Sequence, residues 1–249
     1  EVVLYSDVLS STQAESLAIS AGLQKAFLIN DVKSISVNTD CITLSDKYKR
    51  TRNKTQYKEM PKLEKKALQL AKGNVLDIGC GAGSHSLYLQ DERNIDITAI
   101  DISENAIEAC ALRGLEKVKV QNILSLENEK FDTILLLMNG TGIFGTLKET
   151  ANYLQKLKSL LSPNGQILID SSDIIYMFDN DEDGGKWIPG DNYYGELTFK
   201  IHYKKQTEDE FPWLYLDYNT LQNAAIANGL QCKLILEGEH YDYLAKLSL

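Results

Sequence analysis

The chain has 249 residues, of which 43% are hydrophobic and 24% charged, an ordinary balance for a globular protein. Its formal net charge of −9 argues against a nucleic-acid substrate, because Lys and Arg side chains neutralise phosphates in such complexes. No stretch approaches the roughly 18 apolar residues that a membrane span needs, and the first residues lack the layout of a signal peptide. We therefore expect a cytoplasmic protein that contacts neither a membrane nor nucleic acid.

Residues 1–46 are expected to form an N-terminal module that is distinct from residues 47–249. Thr12 and Glu15 have capping-box spacing before an apolar helical pattern, and residues 34–44 alternate as a small hairpin does. No residue pattern in this module indicates chemistry. We expect it either to pack over the rest of the chain or to mediate a homodimer.

From Pro61 onward, helical and strand patterns alternate, which is typical of a doubly wound α/β sheet. The first helix is expected to end at Gly73. The predicted strands are Val75–Ile78, Ile95–Ile100, Val118–Val120, a fully apolar strand from Phe131, and residues 166–173. Because the strand from Phe131 shows no polar alternation, we expect it at the centre of a parallel sheet. Residues 231–238 and 241–249 predict a closing antiparallel pair.

The most informative stretch, VLDIGCGAGSHSLYLQ, begins at Val75 and joins a strand to a helix through a glycine-rich turn. Gly79, Gly81 and Gly83 can adopt positive φ and let a ligand approach the backbone, while the helix presents free N–H groups. Asp101 ends the second strand, where a carboxylate accepts hydrogen bonds from ribose hydroxyls. Strand, turn, helix, strand and acid in this order predict a nucleoside-cofactor site.

The spacing of these glycines distinguishes two cofactors. A dinucleotide fingerprint, G-x-G-x-x-G/A, ends in glycine or alanine where this chain has Ser84. Asp77 would repel a pyrophosphate but suits a cofactor that carries ammonium and sulfonium charges. At this point the chain resembles the class I S-adenosylmethionine-dependent methyltransferases, whose first motif is similar to LDIGCGAG and whose second-strand acid matches Asp101. An NAD-type Rossmann enzyme is the alternative.

The resemblance covers roughly Lys62–Ser172 and Tyr218–Leu249, and it implies a Rossmann-like, mostly parallel seven-stranded sheet that binds S-adenosylmethionine. Asn122 follows the third strand, where this family contacts the adenine amine, and its amide can both accept and donate. We expect Cys80 to serve as a small residue, and His85 to orient the cofactor or its loop. The predicted cofactor-binding residues are Asp77, Gly79, Cys80, Gly81, Gly83, His85, Asp101, Ile102, Asn122, Ile123, Met138, Asn139 and Gly140.

A basic run with interleaved tyrosines extends from Lys47 to Lys66. In the family that the chain resembles, the segment before the first strand often covers the methionine end of the cofactor. Arg52 and Tyr57 are therefore also predicted to bind it. A solvated linker and helix face is the alternative interpretation of this run.

The loop MNGTG, which begins at Met138, is expected where the transferred methyl group faces its acceptor, because ligands bind outside the carboxyl ends of the strands. The loop differs from the [DN]-P-P-[YFW] motif of enzymes that methylate nucleic-acid bases, so base methylation is disfavoured. Metal-dependent catechol-type O-methyltransferases need a carboxylate at this place, and MNGTG has none.

Two further patterns bear on metals. Asp179, Asp181 and Asp183 match the start of a calcium loop, but Gly190 stands where the bidentate Glu belongs. The four cysteines are scattered without a C-x-x-C pair, which indicates reduced thiols rather than disulfides or a zinc site. We therefore predict that the protein holds no metal.

Residues 173–217 form an insertion after the fifth strand, where the family usually has a short connection. Leu197–Lys205 and Phe211–Leu216 predict a hairpin joined by the polar turn QTEDE. Such a hairpin would exclude water from the reacting sulfonium. The alternative is a surface hairpin that has no role in the reaction. The candidate catalytic side chains are His202, Tyr193 and Tyr194. Structural roles for these three side chains are the alternative.

Together these patterns predict a metal-independent methyltransferase that uses S-adenosylmethionine and acts on a small-molecule acceptor. One alternative is a protein methyltransferase whose acidic insertion recognises a basic segment. Another is a catalytically silent protein of the same fold that acts through its N-terminal module as a binding partner. The sequence leaves open whether N, O, S or C is methylated.

Overall fold

The computed structural model of the protein describes residues 55–178, 192–200, 202–203, 206–207 and 209–249. The module predicted for residues 1–46, the Arg52 side chain and the calcium-like run lie outside the described residues. None of the described helices is both long and apolar enough to cross a membrane.

The described residues form six α-helices and eleven strands in chain order. The helices are α1 (Thr55–Glu59), α2 (Lys62–Leu70), α3 (Ser84–Asp91), α4 (Glu104–Leu112), α5 (Thr150–Ser159) and α6 (Tyr218–Ala227). The strands are β1 (Val75–Ile78), β2 (Ile97–Asp101), β3 (Val118–Val120), β4 (Phe131–Leu136), β5 (Leu161–Ser172), β6 (Glu196–Phe199), β7 (His202–Tyr203), β8 (Gln206–Thr207), β9 (Phe211–Leu214), β10 (Gln231–Glu237) and β11 (Asp242–Ser248).

The main sheet has seven strands in the order β10-β11-β5-β4-β1-β2-β3. Strands β1 to β5 pair in parallel, whereas β11 pairs antiparallel with β5 and β10 antiparallel with β11. The predicted fold class is therefore confirmed. Because β1 pairs with β2 on one side and β4 on the other, the strand order reverses at β1, and ligands of such sheets bind outside the carboxyl ends there.

Local sequence signals account for several element boundaries. All four residues of β1 are buried, as expected for a strand covered on both faces. The Ser103 side chain accepts from the Ala106 N–H to cap α4, and Asp217 accepts from the Thr220 N–H to cap α6. Strand β2 begins at Ile97, two residues later than the pattern predicts, and it includes Asp101.

The predicted hairpin is present, but its turn differs from the prediction. Strands β6 and β9 pair antiparallel, with Phe199 opposite Phe211. Beyond them, β7 and β8 pair with His202 opposite Thr207, so Gln206 and Thr207 belong to a strand and not to the predicted QTEDE turn. Backbone groups make these pairing hydrogen bonds, and polar side chains do not prevent them.

Candidate functional site

A cavity of about 720 Å³ lies at the carboxyl ends of β1, β2 and β3. Its first wall, the nucleoside wall, consists of Ile78, Gly79, Asp101, Ile102, Ser103, Gln121, Asn122 and Ile123. Its second wall, the hairpin wall, consists of Gly142, Ile143, Tyr153, Asp209, Glu210, Phe211, Pro212 and Trp213. The volume is within the range of roughly 300–1,000 Å³ that is typical of small-molecule sites.

The three glycines of the turn after β1 all have positive φ, and Gly79 and Gly83 are required for different reasons. Gly79 has φ +68°, and a Cβ there would meet no atom within 4 Å, so its open side faces space for a ligand. Gly83 has φ +78°, and a Cβ there would lie 2.8 Å from the Cys110 Sγ atom. Gly79 therefore leaves room in the cavity, whereas Gly83 allows the turn to pack against α4.

Asp101 is held rigidly on the nucleoside wall. Its Oδ2 accepts from the Gly81 N–H at 3.0 Å, and its Oδ1 accepts from the Ser103 N–H at 2.9 Å. Burial raises the pKa of this carboxyl, and the hydrogen bonds from Ser103 and Gly81 partly oppose the rise. The N–H of Gly81 thus orients the acid, rather than being left free for a ligand.

The residues that follow β2 and β3 supply the apolar part of the nucleoside wall. The Ile102 side chain is 63% exposed although it lines the cavity, while Ile123 is buried. The Asn122 Oδ1 accepts from the Leu124 N–H at 2.9 Å and caps a short 3-10 helix, Ile123–Ser125. This bond fixes the Asn122 side chain in place at the cavity.

A buried charge pair lies behind the glycine turn. The Glu64 carboxylate on α2 is 2.7 Å from the His85 Nε2 atom on α3, and both side chains are buried. Burial alone would lower the pKa of His85, but the hydrogen bond and charge of Glu64 raise it to about 9. Asp77 accepts from the Ser86 hydroxyl at 2.5 Å, and burial raises the pKa of Asp77. Neither His85 nor Asp77 belongs to the cavity walls.

Cys80 occupies a similar position behind the cavity. Its Sγ atom lies 3.9 Å from the Cys110 Sγ atom, and the Cys110 thiol donates to the Gly81 carbonyl at 3.1 Å. The contact with Cys110, together with burial, raises the pKa of the Cys80 thiol. A protonated, buried thiol is a poor nucleophile, and this agrees with its expected role as a small residue.

The loop after β4 has an unusual backbone. Met138 and Asn139 both have left-handed φ, at 68° and 62°, a conformation that residues other than glycine and asparagine rarely adopt. The Asp170 carboxylate at the end of β5 accepts from the Met138 N–H at 3.0 Å and from the Gly140 N–H at 2.9 Å. Burial raises the pKa of Asp170 to about 7, against the lowering effect of the Gly140 hydrogen bond.

The same loop is tied to the hairpin by buried hydrogen bonds. Asn139 donates to the Leu214 carbonyl at 3.3 Å and accepts from the Ser171 hydroxyl at 3.0 Å. Thr141 also donates to the Leu214 carbonyl at 3.0 Å, and Ser171 accepts from the Leu216 N–H at 2.9 Å. Met138, Asn139 and Gly140 therefore shape the loop, and none of them is on the cavity walls.

The tyrosines predicted to act at the site have structural partners. The Tyr57 ring stacks on Tyr88, with 4.0 Å between their centroids. The Tyr193 hydroxyl donates to Asp217 at 2.7 Å, and the Tyr194 hydroxyl donates to Asp173 at 2.8 Å. Burial raises the pKa of Tyr193 to about 12, so its hydroxyl stays protonated at neutral pH. For His202 only the backbone is described, in strand β7.

Sequence reasoning missed the residues of the hairpin wall and Glu64. A Cβ on Gly142 would fall within the Trp213 ring, so the glycine of the loop and the aromatic of the hairpin fit each other. The apolar run Phe211–Leu214 could have indicated the hairpin wall, because it is long enough to cover a neighbouring surface. Glu64 could have been found as an acidic residue that lies beside Leu63 on the buried face of α2.

The structure shows an α/β protein with a cavity at the carboxyl ends of β1, β2 and β3, where sheets of this kind bind their ligands. A family model described as a methyltransferase domain matches residues 69–222, more than half of the chain. A solved S-adenosylmethionine-dependent methyltransferase from Bacteroides fragilis, in complex with S-adenosyl-L-homocysteine, is 37% identical with a TM-score of 0.73, over 100% of this chain and 98% of that one. The chain belongs to the S-adenosylmethionine-dependent methyltransferase family.

Other solved structures share the fold at low identity. An S-adenosylmethionine-dependent methyltransferase from Clostridium acetobutylicum is 15% identical, with a TM-score of 0.54, over 83% of this chain and 99% of that one. The sugar N-methyltransferase KedS8 from Streptoalloteichus is 14% identical, with a TM-score of 0.55, over 88% of this chain and 98% of that one. A search among curated proteins found no match.

Proposed function

We propose that this methyltransferase transfers the methyl group of S-adenosylmethionine to a small-molecule acceptor without a metal ion. The observation that carries the proposal is a single cavity in which the nucleoside wall lies beside a wall that bears three aromatic rings. The nucleoside wall has the carboxylate and apolar groups that suit a cofactor. The hairpin wall adds Tyr153, Phe211 and Trp213, whose rings suit the organic body of an acceptor.

The nucleoside wall fits the adenosine part of the cofactor. Asp101 offers a fixed carboxylate to the ribose hydroxyls, and Ile102 with Ile123 offers apolar surface to the adenine. Gly79 leaves space where any other residue would place a Cβ. When bound, the cofactor supplies a methyl group activated by a sulfonium. The chain's own residues orient it, and the hairpin wall excludes water.

The proposal of metal-independent transfer rests on the chemistry of methyl displacement. This reaction needs mainly the alignment of acceptor and methyl carbon, which binding can supply. Asp170, whose carboxylate contacts the loop after β4, is already bonded to two backbone N–H groups. We expect EDTA to leave turnover unchanged in a methyl-transfer assay against metabolite fractions. Loss of turnover that Mg²⁺ restores would contradict the proposal.

Calorimetry with S-adenosylhomocysteine tests the assignment of the nucleoside wall. Asp101→Asn should weaken binding by about 1–3 kcal/mol, because the ribose hydroxyls lose a charged acceptor. Asp96→Asn is the matched control, since Asp96 lies just before β2 at its other end and forms an exposed ion pair with Lys117. Equal affinity of the Asp101 variant and the wild type would show that the ribose lies elsewhere.

Several finer predictions accompany this proposal. We propose a cytoplasmic location and the absence of nucleic-acid and membrane partners. The boundary between an N-terminal module, residues 1–46, and the rest of the chain stays a prediction, and so does a homodimer. The cofactor contacts assigned to Arg52, Tyr57 and the residues behind the glycine turn are proposals as well.

A further inference from the structure

The loop after β4 contributes to the hairpin wall of the cavity, and one buried carboxylate holds that loop. The loop runs from Met138, through Gly140, to Gly142, which is part of the hairpin wall. Asp170 lies on β5 and accepts hydrogen bonds from two of the loop's backbone N–H groups, those of Met138 and Gly140. Both of these hydrogen bonds are formed within the chain itself.

The conformation that Asp170 holds is costly. A residue such as Met138 is disfavoured in the left-handed region by about 1–2 kcal/mol, and it adopts this conformation directly before Asn139, a residue type that tolerates it better. Such strain persists only where surrounding contacts determine the backbone, and it concentrates at functional sites. The two hydrogen bonds to Asp170 are contacts of this kind.

The loop in turn determines where the hairpin lies. Asn139 and Thr141 donate to the Leu214 carbonyl at the end of β9. One residue further along the loop, Gly142 packs so closely on Trp213 that no Cβ fits between them. A change in the loop backbone therefore moves the hairpin wall of the cavity.

We propose that Asp170 is a positioning residue for methyl transfer, which holds the Met138–Gly140 turn in its left-handed form and thereby places Trp213 against the cavity. The inference rests on the proposed function of this cavity. Asp170 acts through the loop, since it is not among the residues that line the cavity. Its ionised form is the one that accepts both N–H groups, because protonation converts one carboxylate oxygen into a donor.

The surroundings of Asp170 make its ionisation sensitive to pH near neutrality. Glu64 disfavours the charged form, and His85 favours it. The residue opposite on β11 is the uncharged Leu244. With the pKa of Asp170 at about 7, the carboxylate loses its charge as the pH falls through this value. The loop should then loosen on the acidic side of neutrality.

Trp213 provides a readout that needs no acceptor. The chain has two tryptophans, so Trp187→Phe leaves Trp213 as the sole tryptophan, and excitation at the red edge of the indole band avoids the tyrosines. In this background, the Trp213 emission should change with an inflection near pH 7. Asp170→Asn should abolish the inflection, because an amide has no charge to lose and cannot accept from both N–H groups.

Asp132→Asn is the matched control. Asp132 also accepts a backbone N–H, that of Asn74 at 2.9 Å, but it lies at the opposite end of β4 from the loop. This variant should retain the inflection. An inflection that persists in Asp170→Asn, or one that is absent from the parent protein, would overturn the inference.

A functional readout completes the test. At saturating S-adenosylmethionine, Asp170→Asn should lower methyl transfer into a metabolite fraction by at least about tenfold, equivalent to ~1.4 kcal/mol. Its S-adenosylhomocysteine affinity should stay within about twofold of the wild type. Unchanged transfer would contradict the positioning role. Failure of the wild type to bind S-adenosylhomocysteine would instead contradict the proposed function, because the Trp213 titration is independent of the ligand.

Discussion

The turns that follow the neighbouring central strands β1 and β4 both contain residues in the left-handed conformation, but the residue types differ. After β1 the left-handed positions are Gly79, Gly81 and Gly83, whereas after β4 they are Met138 and Asn139. Glycine adopts this conformation at little cost, so the first turn depends mainly on its own sequence. The second turn depends on Asp170, which follows about thirty residues later along the chain and holds it by hydrogen bonds.

The largest expected effect concerns the charge pair behind the glycine turn. Glu64→Gln leaves the His85 imidazolium buried without its partner, and we expect a loss of about 3–5 kcal/mol in the free energy of unfolding. Denaturant unfolding at neutral pH measures this loss. Lys62 and Glu239 form an exposed ion pair that solvent screens, so Glu239→Gln should cost far less stability than Glu64→Gln. Equal losses in the two variants would contradict the account.

The pH dependence of this pair has a definite sign. The pKa of His85 is raised to about 9 in the folded protein, so the imidazolium stabilises the fold fully below its unfolded pKa of about 6.5. This contribution should be lost as the pH rises from about 6.5 to 9. The difference in unfolding free energy between the wild type and Glu64→Gln should therefore shrink over that range. A difference that grows with pH would show that the histidine is neutral.

Gly79→Val should have the next largest effect, on cofactor binding. A β-branched residue is strained at positive φ, and its side chain would enter the space that the cofactor needs. We expect S-adenosylhomocysteine affinity to fall by more than about tenfold, or ~1.4 kcal/mol. Gly229→Val introduces the same strain at φ +70° after α6, away from the cavity walls, and should leave affinity unchanged. Similar affinity losses in both variants would point to general destabilisation.

The smallest expected effect concerns the turn after β4. Met138→Gly removes left-handed strain from the second turn, and this should offset the side-chain contacts that the variant loses. We expect a free energy of unfolding within about 1 kcal/mol of the wild type, and a weaker dependence of the loop on Asp170. A loss of several kcal/mol would show that the Met138 conformation is not strained.

The first turn could be predicted from the sequence, because glycines, strand pattern and terminal acid lie within one short segment. Strands β1 and β3 have the predicted bounds, and the seven-stranded sheet is confirmed. The second turn could not be predicted, since no local signal places Met138 at positive φ. Its determinants, Asp170 and Leu214, come from distant parts of the chain. The hairpin itself was predicted, but the contact between Trp213 and Gly142 was not, because it joins two distant parts of the chain.

A crystal structure of the complex with S-adenosylhomocysteine tests the central claim most directly, namely that the cofactor occupies the cavity at the ends of β1, β2 and β3. We expect the ribose hydroxyls to bond to Asp101, the adenine to lie between Ile102 and Ile123, and the hairpin wall to close the other side. A ligand bound outside this cavity, or a ribose with no contact to Asp101, would contradict the account.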